Sequence, residues 1–280
     1  MTTATGPDTA RVYALGSNPD ESARLRRQSD ELRPQTADLL GRIRLEPGQS
    51  AIDLGCGPSG ILDQLAAAVS PGGYVVGLDS DPVHSTLAAQ YVTSMGLADV
   101  EVLTADARCT GLPSCSFDLV HARTLLVNIQ DPAEVVAEMV RLARPGGWVA
   151  SQEPDAEPAV CYPPLAAWDH LRKIFLASHD RLGADLRIGR RLPELFRQAG
   201  LEDVETVSYA PVYPAGHSRR TLLPDLVLSM RPVILKLGLA DERELNELDH
   251  QVRKHFADPR TLIMPHLLFV VRGRKPEQQK

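Results

Sequence analysis

The sequence predicts an α/β protein built on a doubly wound, mostly parallel sheet. Two observations carry this. Short apolar runs alternate with helical periods from residue 51 onward, and the first run, Ala51 to Leu54, feeds straight into the turn Gly55-Cys56-Gly57-Pro58-Ser59-Gly60. Short apolar strands separated by helices indicate a parallel sheet covered on both faces. Ligands of such sheets bind at the carboxyl ends of the strands. The residues that follow each strand are therefore the candidates for chemistry.

Each element has a local reason. Leu25, Leu32, Leu39, Leu40 and Ile43 form an apolar stripe over 20–43, and Pro34 predicts a break near Arg33. A strand over 51–54 leads to a helix over 61–69, and Pro71-Gly72-Gly73 turns into a second strand over 74–78. Asp81-Pro82 opens the next helix, with proline in its favoured first turn. Strands follow at 100–103 and 117–120, then a helix from Asp131-Pro132 to Ala143. Pro145-Gly146-Gly147 turns into a fifth strand over 148–151. Helices are expected over 166–182 and 192–199, the latter stopped by Gly200, and a strand over 204–209. The stretch 219–256 reads as helix interrupted at Pro224, Pro232 and Gly238, before a last strand over 266–271.

Composition narrows the class. An apolar fraction of 43% and a charged fraction of 24% are those of a globular protein. A net charge of −6 argues against a nucleic-acid partner. The run Arg24, Arg26, Arg27 reads as a solvated helix face. Cys56, Cys109, Cys115 and Cys161 show no metal-type spacing and read as reduced thiols of a cytoplasmic protein. There is no signal-type apolar core, and no run approaches the ~20 apolar residues of a membrane helix. No spacing of two histidines and a carboxylate suggests a metal.

Gly55, Gly57 and Gly60 match the spacing of nucleotide-binding turns, where a missing Cβ lets a ligand approach the backbone. Asp53 sharpens this match, because a carboxylate there suits an amine-bearing ligand better than a pyrophosphate. Asp79 ends the second strand and can accept from a ribose diol. Asp81 is the better helix cap, which leaves Asp79 for the ligand, with Ser80 beside it. Asp106, after the third strand, can accept from an exocyclic amine such as that of adenine. His121, Ala122 and Arg123 follow the fourth strand, where the Arg123 guanidinium can hold a carboxylate and His121 can act as acid or base.

These segments, taken in order, resemble class I S-adenosylmethionine-dependent methyltransferases. The resemblance runs through Ile52 to Gly60, Val76-Gly77-Leu78-Asp79, Ala105-Asp106-Ala107, Ser116 to Val120 and Leu142 to Gly147. It covers residues 45–152 well and the rest loosely. It implies a seven-stranded sheet whose last strand, 266–271, runs antiparallel between strands five and six. It also implies roles. The glycine turn would hold the methionyl part of the cofactor, with Asp53 near its amino group and residues 121–123 close by. Asp79 would take the ribose hydroxyls, Asp106 the adenine amine, and Ala107 would donate its N–H to the ring. Tyr13-Ala14-Leu15-Gly16 and the Arg-rich helix look like the lid of ubiquinone-biosynthesis-like and natural-product methyltransferases. Tyr13 is then a cofactor residue, with Arg26 and Gln28 as weaker candidates.

Methyl transfer asks the protein mainly to align two partners and exclude water. If the acceptor must lose a proton, Glu153 after strand five is the first candidate base, with His217 the second and His121 a third. The expected organisation is a lid over 1–44, a cofactor-binding half over 45–153, an insertion over 154–190, and the rest of the core over 191–280 with a helical insertion near 212–262. Leu222, Leu223, Leu226, Leu228, Met230, Val233, Ile234 and Leu237 are spaced for core or dimer packing, or for an apolar acceptor pocket. Large insertions favour an enclosed small molecule of secondary-metabolite, quinone or isoprenoid type. A homodimer is compatible with this reading. The alternatives are a nicotinamide-dependent oxidoreductase, against which Asp53 argues, and a cofactor-binding regulator without activity.

Overall fold

The structure, a computed structural model, describes residues 19–277; Tyr13 lies outside the described residues. Helices α1 (Pro19–Glu31) and α2 (Arg33–Ile43) are separated at Leu32. Pro34 sits in the first turn of α2, where its missing N–H leaves no bond unmade.

The chain then alternates. Strand β1 (Ser50–Leu54) leads to α3 (Leu62–Val69), β2 (Tyr74–Asp79) to α4 (Pro82–Ser94), and β3 (Val100–Thr104) directly to β4 (Phe117–Arg123). Helix α5 (Pro132–Leu142) precedes the long β5 (Ala143–Asp155). Then come β6 (Val160–Tyr162), α6 (Ala166–Leu182), α7 (Ile188–Gln198) and β7 (Glu202–Tyr209). Last are α8 (Leu222–Lys236), α9 (Glu242–Ala257), β8 (Leu262–Met264) and β9 (Leu267–Arg274).

Seven strands form one sheet in the order β3-β2-β1-β4-β5-β9-β7. The first five are parallel, and β9 runs antiparallel between β5 and β7, as the resemblance implies. An antiparallel β9 begins where the parallel strands end, so Leu267 pairs with Asp155 and His266 stands at the ligand end of the sheet. The short β6 and β8 pair in a separate ribbon that the sequence reading did not foresee.

The core lies on both sheet faces. In β1, Ala51 faces a layer with Leu39, Leu62 and Leu65, whereas Ile52 and Leu54 face a layer with Met139, Leu171 and Phe196. This is the period-two alternation of a strand buried on both sides. On α8, Leu223, Val227, Met230 and Ile234 are buried in the second layer, and α8 packs on α6 and α9. Of the expected stripe, Leu223, Met230 and Ile234 are core, whereas Leu222, Leu226, Val233 and Leu237 are only partly buried and Leu228 is exposed.

Candidate active site

The turn after β1 is shaped by three glycines in left-handed backbone, Gly55 (φ 68°), Gly57 (φ 57°) and Gly60 (φ 53°). Two of them are held by packing. A Cβ on Gly55 would stand 2.8 Å from Leu125 Cδ1, and one on Gly60 would stand 3.0 Å from Cys56 Cβ and closer still to Asp53 Oδ2. Gly57 differs, because a Cβ there would meet nothing within 4 Å among the described residues.

Asp53 lies beneath this turn, 2% exposed. Its Oδ2 accepts from Ile61 N–H (3.2 Å), and Oδ1 lies 2.8 Å from His121 Nδ1. The two residues are register partners on adjacent parallel strands, which brings their side chains together. His121 is fully buried and its Nε2 has no partner. It is fully enclosed against Asp53, which does not support a role as catalytic acid or base. Its backbone neighbour Ala122 is also fully buried.

Arg123, the last residue of β4, is 8% exposed. Its guanidinium donates to Ser29 Oγ (2.7 Å), Thr36 Oγ1 (3.1 Å) and the Gly60 carbonyl (3.3 Å). All three acceptors are neutral, and no carboxylate stands within ion-pair distance among the described residues. Burial lowers Arg123 to about 10, while the charge of Asp53 pulls it back up. Asp53, Arg123, Thr124 and the glycine turn line one cavity with Leu25, Gln28 and Ser29 of α1. The cavity spans about 360 Å³ of empty space and is partly open to solvent.

Thr124 takes an uncommon left-handed conformation for a non-glycine residue (φ 52°). Glu153 holds the segment after it. Its Oε1 accepts from Leu125 and Leu126 N–H (3.0 and 2.9 Å) and its Oε2 from Val127 N–H (3.2 Å). Glu153 is 0% exposed, so the expectation that it faces the crevice does not hold. The physical reason is local: the 3-10 turn at 126–128 starts with unpaired N–H groups that a carboxylate satisfies. Burial pushes its carboxyl up to about 8, against the pull of the three donors.

Asp79 is 8% exposed at the end of β2 and accepts from Gly57 N–H (2.8 Å) and Asp81 N–H (2.9 Å). Burial raises its carboxyl. Asp81 caps α4 by accepting from Val83 N–H, which is the division of labour expected of this pair. Ser80 is exposed beside them. Asp106 turns back on Arg108, whose side chain and N–H it accepts (2.6 and 2.8 Å), and this lowers its carboxyl. Ala107 is buried. His217 accepts from Arg219 N–H (3.2 Å) as the cap of a 3-10 turn at 218–221, and stacks on Tyr213 at 4.6 Å. That turn rests on α1 through Arg219 and Ser218, which bond Glu31.

The fold thus brings together Asp53, the three glycines and Arg123, with Asp79 tied to Gly57. It adds Ser29, Thr36 and Thr124, which no local pattern marks: their role comes from α1 and α2 crossing the strand ends. Among the described residues no group of three His, Cys, Asp or Glu could hold a metal ion, and no helix is long and apolar enough to cross a membrane.

Comparison with known proteins gives the same picture. A methyltransferase domain family matches residues 52–151. A 37.1 kDa protein of transposon TN4556 from Streptomyces fradiae is 32% identical over 186 residues, which is 66% of this chain and 52% of that protein. A demethylmenaquinone methyltransferase from a Geobacillus species is 29% identical over 185 residues, 61% of this chain and 79% of the enzyme. Among solved structures, phosphoethanolamine N-methyltransferase 2 of Haemonchus contortus in complex with S-adenosyl-L-methionine superposes with a TM-score of 0.57. It is 20% identical and covers 87% of this chain and 53% of that one. Residues 52–151 thus match a methyltransferase domain, and the fold around them is one shared with S-adenosylmethionine-dependent methyltransferases of known structure.

Proposed function

We propose that the chain binds S-adenosylmethionine at the glycine turn and directs its methyl group to a small organic acceptor. One observation carries this reading: buried charges of opposite sign, Asp53 and Arg123, flank the same turn and line the same cavity. A methionyl group presents an ammonium and a carboxylate, and this pair is complementary to it. Gly57, which carries no Cβ, supplies the close approach. We read Asp79, hydrogen-bonded to Gly57, as the ribose partner, and Asp106 and Ala107 as the adenine partners.

When bound, the cofactor supplies an electrophilic methyl group on a sulfonium. The chain contributes position and dryness. Asp53 is kept in place by His121 and Ile61 N–H. Arg123 gives up its bonds to Ser29 and Gly60 when a carboxylate arrives. Glu153 acts as a positioning residue for the segment 125–127, and His217 remains the candidate base nearest α1. Residues 1–44 act as the lid, the sheet half over 45–153 as the donor site, and 154–190 and 212–262 as insertions around the acceptor. We read that acceptor as a largely apolar molecule of secondary-metabolite, quinone or isoprenoid type. The relative named for demethylmenaquinone supports that class. Four free thiols agree with a cytoplasmic setting.

Calorimetry with S-adenosylmethionine tests the donor site. Binding is expected in the wild type, with affinity falling about tenfold or more in Asp53→Asn and in Arg123→Met. No heat with wild type at millimolar ligand, or unchanged affinity in both variants, would refute the assignment.

A further inference from the structure

Arg219 and Arg220 are adjacent and both buried, yet the fold uses them differently. Arg220 is fully engaged. It donates to the carbonyls of Phe256 (2.6 Å), Tyr213 (2.9 Å), Asp258 (2.9 Å) and Thr261 (2.9 Å), which pins the turn at 218–221 to the end of α9. Arg219 makes only long contacts, to Glu31 Oε2 (3.3 Å), Tyr213 Oη (3.4 Å) and Gln28 Oε1 (3.4 Å). Its Nη2 makes none among the described residues, although the side chain is 6% exposed.

A guanidinium stripped of water is unfavourable without short bonds to an anion. Arg220 shows how this sequence satisfies such a group; Arg219 has one ion pair, with Glu31 at 3.3 Å, and no short bonds. Its position is also informative. Gln28, its neighbour, lines the glycine-turn cavity and donates to Thr124 Oγ1 (3.2 Å). The charges of Arg219 and Arg123 act on one another, so two buried cations approach the donor site. His266, at the carboxyl end of the sheet, also feels the charge of Arg219. Burial and that charge hold its imidazole neutral, at about 3.

We infer that the methyl acceptor carries a carboxylate and that Arg219 binds it, which makes Arg219 a specificity-determining residue on the acceptor side. The planar fork of a guanidinium matches a carboxylate, and the nearby Glu31 selects against a more highly charged group. The apolar acceptor proposed above thereby gains an anionic head. The inference rests on the methyltransferase reading of the glycine turn.

The test titrates a panel of aryl carboxylates, each beside its primary amide, into the full chain saturated with S-adenosylhomocysteine. At least one acid is expected to bind about tenfold more tightly than its amide. Arg219→Met should erase that preference while S-adenosylhomocysteine binds as before. Glu31→Gln should strengthen acid binding, and it keeps the test open if Arg219→Met fails to fold. Equal binding of acid and amide, no acid binding across the panel, or a preference that survives in Arg219→Met overturns the inference. Failure of the wild type to bind S-adenosylhomocysteine overturns the donor-site reading instead, and this inference with it.

Discussion

Two glycines of one turn should respond in opposite ways to the same substitution. Gly57 and Gly60 both have positive φ, so alanine at either site forces an L residue into left-handed backbone, at about 1–2 kcal/mol. At Gly57 nothing else is added, because the new Cβ meets no atom of the described residues within 4 Å. At Gly60 the Cβ falls on Asp53 Oδ2 and 3.0 Å from Cys56 Cβ and its carbonyl oxygen. The Asp53 carboxylate must move, and its bonds to Ile61 N–H and His121 loosen. A buried bond to a charged group contributes about 1.5–3 kcal/mol, so Gly60→Ala should destabilise by about 3–5 kcal/mol in all. Function should follow a different order. Gly57→Ala stays folded but puts a methyl group where the ligand must touch backbone, and its affinity for S-adenosylmethionine should drop about a hundredfold or more. Urea denaturation measures the first quantity and calorimetry the second. If Gly57→Ala binds like wild type, or Gly60→Ala is no less stable than Gly57→Ala, the account of the turn is wrong.

Two further outcomes follow from charge and burial. Glu153 has its folded carboxyl raised to about 8 from an unfolded value near 4.5. Its contribution is thus fully present below pH ~4.5 and is lost as pH rises through about 8, at no more than about 1.4 kcal/mol per pH unit. Glu153→Gln, which keeps an acceptor for the 125–127 N–H groups, should hold its melting temperature better than wild type as pH rises from about 5 to about 8; parallel melting curves would disprove the burial argument. Ser29→Ala removes one bond from Arg123 and one to the Gly60 carbonyl. It should loosen α1 by about 1 kcal/mol and speed S-adenosylmethionine association in stopped-flow; an unchanged rate would mean that α1 is not latched there.

What could be read in advance was local chemistry. The strand into Gly55 and the Asp81-Pro82 cap follow from neighbours in sequence, and the fold places them accordingly. Glu153 could not be read this way, because its burial depends on the turn at 126–128 folding over it. The β6–β8 ribbon joins three-residue strands about a hundred residues apart, too short to leave a periodic signal. Arg219 and Arg220 look alike in sequence, and only the carbonyls gathered around Arg220 separate them. His266 becomes a site neighbour only through the reversed direction of β9.

The cavity beneath α1 has a kinetic consequence. An occupant walled on one side by α1 exchanges more slowly the more tightly that helix is held. The free energy of lifting is drawn equally from the affinity for the methylated and the demethylated cofactor, since both need the same opening. Changes to the α1 contacts therefore set how fast used cofactor is traded for fresh, and leave the choice between the two forms to the residues at the sulfur.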